Sequence, residues 1–273
     1  MPPAVELLVN TFERTYRQVL APGFFPGIAQ QNQFEFARRV ALIGNVDDRD
    51  GAAALAQQRI DDGEIDEVFW VDEQLPSALV RTGLTQRDLG DVPFFTDWAL
   101  VAVTLPGCDW LLHWDADIEL ESPADWITPT LALMEEDRRL LVGNPNWEAD
   151  TLDAEAIERR PPFVIGRGFS DQLFLVRRSE LARPIYSERC IARLRYPVAH
   201  LGDIFEARVD AYMRHHDRLR ATHADVRYLH PWDPDTTAYP RGTLMQRARR
   251  LRNIVVIGAL RRSPWKPRCA RQL

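Results

Sequence analysis

Lysine is almost missing from this chain: Lys266 is the single one among 34 basic residues. Arginine carries the positive charge instead, a pattern read here as nucleotide-composition bias rather than function. Cysteine is scarce as well. Cys108, Cys190 and Cys269 are odd in number, far apart and without metal spacing. That argues against a disulfide framework and for a reducing compartment. No apolar run reaches the length of a membrane span, and no charged segment with an apolar stretch behind it opens the chain, so no secretory signal is expected. The expected location is the cytoplasm. A surplus of positive charge is lacking too. With a formal net charge of -6 over 273 residues, nucleic acid is not an expected partner.

What is present suits one large α/β domain. The composition, 45% hydrophobic and 27% charged, is that of an ordinary globular protein with enough length for a sizeable core. The charge is uneven. Residues 241–273 hold ten Lys/Arg and no Asp/Glu, leaving about -16 on residues 1–240. The expected organisation is therefore a domain over 1–240 followed by a basic tail over 241–273.

The stretch Asp109-Trp-Leu-Leu-His-Trp-Asp-Ala-Asp-Ile-Glu-Leu is the most informative. Residues 109–114 read as a buried strand. Asp115 and Asp117 follow, one residue apart, where an open α/β sheet places its ligands. Hard divalent cations take carboxylate and phosphate oxygens, so the pair reads as a metal–diphosphate site, against the plainer reading of a turn or helix cap. The same spacing at Asp48/Asp50 and Asp233/Asp235 ends no apolar strand, and Pro234 makes the latter a turn.

Along the chain, residues 4–9 read as a first strand. Asn10-Thr11-Phe12-Glu13-Arg14-Thr15 follows, then a helix to Leu20. Thr11 caps that helix, or Thr11, Glu13 and Arg14 meet a nucleotide; both readings stand. Pro22 to Pro26 breaks the helix, and 34–39 reads as short helix or loop. A second strand over 40–44 ends in Asn45-Val46-Asp47-Asp48, and a helix runs over 51–60. A third strand spans 67–71, closed by Asp72, and 76–89 reads as irregular to helical. A helix is expected over 94–105 and another over 126–136. Strand, helix and strand at these intervals predict a parallel sheet. A strand over 140–142 precedes a loop from Asn144 to Pro162 without a clean period. A strand over 172–176 follows Phe169-Ser170-Asp171, where Asp171 is a turn carboxylate or an active-site group. Ser179 then caps a helix. A helix opens at His200 and runs to about Arg214; Asp203 near its start is a cap or a general base. A last strand, 226–229, ends at His230, a packed side chain or a metal ligand. The tail 244–260 is a basic amphipathic helix for an anionic membrane surface, or a terminal helix packed on the domain.

Four features in this order resemble the GT-A-fold glycosyltransferases, in particular the family-two-like inverting group. They are Asn-Thr-Phe-Glu-Arg (10–14) after the first strand, Asn-Val-Asp-Asp (45–48) after the second, Asp-Ala-Asp (115–117), and Gly-Asp-x-x-Glu-x-Arg (202–208). The resemblance spans about residues 4–232. It implies a Rossmann-like, mostly parallel sheet flanked by helices and a nucleotide-diphosphate sugar donor. It also implies a glycan or other hydroxyl acceptor and Mn²⁺ or Mg²⁺. It assigns Thr11, Glu13, Arg14 and Asp47 to the nucleoside, Asp115 to ribose or metal, Asp117 and His230 to the metal, and Asp203 to the base, with Asp171 its rival. Two departures stand out: Gly202 replaces the acid expected before Asp203, and the first turn lacks the usual proline. The competing functions are a metal-dependent nucleotidyl- or phosphotransferase and a catalytically inactive glycan- or partner-binding module. A phosphatase of the aspartyl-phosphate type fits less well, because Ile118-Glu119 follows where a hydroxyl residue is needed.

Overall fold

The computed structural model describes residues 3–147, 152, 156–196, 198–230, 243–263 and 269. Asp233/Asp235, the boundary near 240 and residues 148–151 and 153–155 of the expected 144–162 loop lie outside them. Ten strands form one sheet: β1 (Val5–Thr11), β2 (Arg38–Ile43), β3 (Glu67–Trp70), β4 (Trp110–Trp114), β5 (Glu119–Leu120), β6 (Leu140–Asn146), β7 (Ala156–Arg160), β8 (Phe163–Gly166), β9 (Leu173–Arg177) and β10 (Leu219–Leu229). Their order is β3-β2-β1-β4-β9-β6-β10-β8-β7, with β5 attached to β10. β1 to β4, β6, β7 and β10 run one way; β9, β8 and β5 run against them. The sheet is thus mostly parallel, as expected, with three reversed strands that helix–strand alternation alone did not announce.

Side chains alternate across each strand, and both faces are covered. Leu7, Val9, Leu112 and Trp114 pack with the helices Phe24–Asn32, Arg49–Asp61 and Ile127–Glu136. Leu8, Leu111, Phe174 and Val176 pack with Val71–Thr82, Asp97–Thr104 and Phe205–His215 on the other face. Burial on both faces explains why β4 reads as an apolar run interrupted only by His113. No described helix is long and apolar enough to cross a membrane.

Several expectations are corrected. Phe24–Asn32 is a helix where Pro22 to Pro26 suggested only a break: Pro26 falls in its first turn, where no intrahelical N–H is needed, and Gly23 precedes it at φ 84°. Val71–Thr82 is helical from its first residue, so Asp72 opens a helix rather than closing a strand. The region expected as a loop after Asn144 continues β6 to Asn146 and contains β7, an edge strand whose exposed faces leave no alternation to read. β10 begins at Leu219, seven residues before the expected start, because its first half is mixed polar and apolar. Thr11 does not cap the following helix: Thr15 holds the N-cap position, and Thr11 Oγ1 bonds Thr15 Oγ1 at 3.0 Å. Ser179 lies inside the turn Arg178–Leu181 rather than at its cap, and its N–H donates to Asp109. The late helix starts at Phe205, with Ile204 at its cap, so Asp203 caps nothing.

Candidate active site

Parallel β1, β2 and β4 end together, and β9, running the other way, begins at that same end: Leu173 lies opposite Trp114. The segments 12–15, 44–48, 115–118 and 170–172 therefore meet above one edge. β10 runs parallel to β6 and delivers His230 there. The short pairing of Glu119–Leu120 with Tyr228–Leu229 then brings the acidic turn against the end of β10.

The turn carrying Asp115 and Asp117 is held from three sides. Trp114 Nε1 donates to the Ile118 carbonyl at 3.1 Å. Gln18 donates to the Ala116 carbonyl at 3.1 Å, and the Leu120 N–H donates to Gln31 at 2.9 Å. Within the turn, Asp115 Oδ1 accepts from the Ala116 N–H at 3.0 Å, and Asp117 is exposed. Asp115, Asp117 and His230 each offer one ligand atom, and these atoms lie within 4.8 Å of one another. His230 Nε2 is 3.1 Å from Asp117 Oδ1; the His230 side chain is 13% exposed and that of Asp117 43%.

The electrostatics are those of a site short of positive charge. Burial, then the negative charges of Asp117 and Asp171, push Asp115 up to about 7. The hydrogen bond to Asp117 raises His230 above its ordinary value. Burial and the adjacent Glu206 carboxylate raise Asp171 well above the usual carboxylate range. The Asp171 N–H donates to Glu206 Oε1 at 3.0 Å, and the two carboxyl groups share a hydrogen bond. Burial likewise raises Glu206 above its ordinary value. A divalent cation is a fitting guest for such a set: two carboxylate oxygens and one imidazole nitrogen match the donors that borderline-hard divalent ions accept, and the ion relieves the mutual repulsion.

The remaining expected residues are distributed as follows. Glu13 ties the first two turns together: its Oε2 accepts from the Asp47 N–H at 2.8 Å, and its own N–H donates to Asn45 O at 3.2 Å. Arg14 and Asp47 are exposed on these turns, and Thr11 is buried beneath them. Asp48 caps the helix Arg49–Asp61 through Gly51 and lies 3.6 Å from Arg17. Asp203 stands apart in its pairing: Arg193 holds one carboxylate oxygen and Arg189 the other, at 3.2 Å. Of the two expected bases, Asp171 is the one whose charge bears on Asp115 and His230.

Sequence reading gave no role to Glu206, which sits in the first turn of its helix directly behind Asp171. Its place in Gly-Asp-x-x-Glu-x-Arg was the available signal. Also unforeseen was His113, fully buried between Trp98 and Phe174 and bonded through Nε2 to Asn10 Oδ1 at 2.9 Å. Burial pushes its imidazole down to about 3, so it is neutral and part of the floor beneath the site.

No family model and no curated protein sequence matches this chain. Among solved structures it is similar to GalNAc-T7 with UDP, GalNAc and Mn²⁺, at 12% identity and TM-score 0.49, over 93% of this chain and 48% of that one. It is similar to the mannosyltransferase PcManGT from Pyrobaculum calidifontis in complex with GDP-Man and Mn²⁺, at 14% identity and TM-score 0.49, over 98% of this chain and 67% of that one. A third is glucosyl-3-phosphoglycerate synthase from Mycobacterium tuberculosis in complex with Mn²⁺, UDP-glucose and phosphoglyceric acid, at 11% identity and TM-score 0.46, over 98% of this chain and 80% of that one. The chain spans about half the length of the first of these.

Proposed function

We propose that this chain is a GT-A-type, metal-dependent glycosyltransferase that moves a sugar from a nucleotide-diphosphate donor to an acceptor hydroxyl, with inversion. One observation carries the reading: Asp115, Asp117 and His230 converge at the carboxyl end of the central strand, beside the two turns that Glu13 joins. Asp115, Asp117 and His230 would hold Mn²⁺ or Mg²⁺. When bound, such an ion neutralises the charge that grows on a departing diphosphate. Thr11, Glu13, Arg14 and Asp47 supply the nucleoside end, with the Glu13 bond fixing the spacing of the two turns. Asp171 is the base. Burial, then the Glu206 carboxylate, raises its affinity for a proton, which suits a group that takes the acceptor hydroxyl proton.

The direct test is a thermal-shift screen of UDP-, GDP- and TDP-sugars with and without Mn²⁺. A ligand that binds only the folded chain raises the apparent melting temperature. The expected result is a shift with donor and Mn²⁺ together that neither gives alone, and release of nucleoside diphosphate on adding acceptor. A glycan-binding module without activity would bind sugar and release none. A nucleotidyltransferase would release pyrophosphate or a nucleoside monophosphate instead.

The two carboxylates considered for the base separate kinetically. Asp171→Asn is expected to lower kcat by roughly a hundredfold or more with little change in donor affinity. Asp203→Asn, which loosens a carboxylate held by two arginines, is expected to alter stability more than kcat. The reverse pattern in steady-state kinetics would return the role to Asp203.

A further inference from the structure

The helix Leu244–Arg262 turns an apolar side away from the domain. Asn253 and Ile257, its only buried residues, sit one turn apart on the side that packs toward the turn Ile191–Arg195. Leu251 follows Leu244 by seven residues, and Ile254 and Val255 follow Leu251 by three and four, which gathers them away from that side. They are 83%, 66%, 60% and 70% exposed. Arg252 borders this stripe on one flank and Arg261 on the other, Arg247 lies within it, and Arg262 ends it. No acidic residue occurs anywhere in 241–273. Four large aliphatic side chains in water, on a helix whose charged residues are all arginine, suit the boundary between headgroups and acyl chains.

A second feature lies against the same helix. Arg193, His200, Arg249 and Arg252 line a cavity of about 340 Å³ together with the backbone of 199–202. Asp203 offsets one of the charges of Arg189 and Arg193. Arg249 and Arg252 make no ion pair with a described carboxylate; Arg249 bonds Met245 and Arg252 bonds Asn253, so the charge of both stays unneutralised.

We propose that the exposed side of this helix docks on an anionic phospholipid surface: the stripe of Leu244, Leu251, Ile254 and Val255 enters the acyl boundary, and the helix arginines meet the lipid phosphates. Charge complementarity selects this occupant over a neutral one, because these arginines attract anionic headgroups across about a Debye length.

The test uses the full chain and sedimentation with vesicles of phosphatidylcholine, with and without phosphatidylglycerol. Binding is expected only with phosphatidylglycerol, and weaker as salt rises. Leu251→Glu with Ile254→Glu, and separately Arg249→Gln with Arg252→Gln, are each expected to lower the partition coefficient roughly tenfold or more. Melting curves check that these variants remain folded. Equal binding to both vesicle types, no binding, or partition unchanged in both double variants overturns the proposal. So does a dimer in sedimentation equilibrium that the Leu251/Ile254 variant dissolves, which would make the stripe a contact between copies. Inorganic phosphate that raises the melting temperature while vesicles stay unbound would make the cavity a site for a soluble anion, again against the proposal. Donor hydrolysis in vesicle-free buffer is read separately, so failure here leaves the proposed reaction standing, and the converse.

Discussion

Asp117→Ala is expected to remove metal-dependent turnover, by roughly a thousandfold or more, and to leave the fold intact. The size follows from what the ion does: stabilising the charge of a leaving diphosphate is worth several kcal/mol, and each ~1.4 kcal/mol is tenfold in rate. The selectivity follows from where Asp117 sits. Its side chain is 43% exposed on the tip of a turn whose backbone is held by Trp114, Gln18 and Gln31, and its one described partner is His230. Removing it costs the core nothing. The measurement is initial rate of nucleoside diphosphate release against Mn²⁺ concentration, with a melting curve alongside. Unchanged donor hydrolysis at every Mn²⁺ level would refute the assignment of the metal to this turn. His230→Ala is a milder version of the same change: it removes a ligand and the partner of Asp117 but keeps both carboxylates.

The second large effect is on stability, at the far end of the same sheet. Glu6 points from β1 into a fully buried position and meets two arginines. Arg178 bonds one carboxylate oxygen, and Arg38 bonds the other at 2.7 Å. The arginines are committed further: Arg178 donates to Ala102 O at 3.2 Å and Cys108 O at 2.7 Å, and Arg38 donates to Pro106 O at 2.6 Å. Gly107 belongs to the same knot, since a Cβ there would collide with Glu6 and Arg38. Taking away Glu6 strands buried positive charge among carbonyl groups that still need the guanidinium N–H groups. Loss of one partner of a buried pair costs about 3–5 kcal/mol, so Glu6→Ala should lose that much in urea unfolding. Glu6→Gln should lose a large part of it, because shape survives while charge does not. A glutamine variant as stable as the parent would mean that hydrogen bonding, not charge, holds the knot. Activity of the folded fraction should change little in either case, since the site lies at the opposite ends of the strands.

Much of the fold was legible because burial forces a simple code. β4 is covered on both faces, so it is written as Trp-Leu-Leu-His-Trp, and the two aspartates after it stand out against that run. Helices such as Ile127–Glu136 present one apolar side to the sheet and could be placed within a residue. Legibility fails where burial does not constrain the sequence. β7 is an exposed edge strand, and half of β10 alternates irregularly, so neither carries a period. Phe24–Asn32 contains proline and glycine at positions that a helix tolerates for reasons of backbone geometry alone.

By itself, then, the chain determined which segments must be hidden, which turns carry carboxylates, and that residues 241–273 carry basic charge alone. Only the tertiary structure decided the company those carboxylates keep. His230 joins Asp117 from more than a hundred positions away because β5 and β10 pair at that spot. Asp171 gains Glu206 and bears on Asp115 and His230, whereas Asp203, which the motif favoured, is held by Arg189 and Arg193. The physical reason is that periodicity records whether a side chain faces apolar or polar surroundings, a property of one segment. A charged group's behaviour depends instead on the distance to other charges and on its loss of water, and both are fixed by which distant segments the sheet brings side by side.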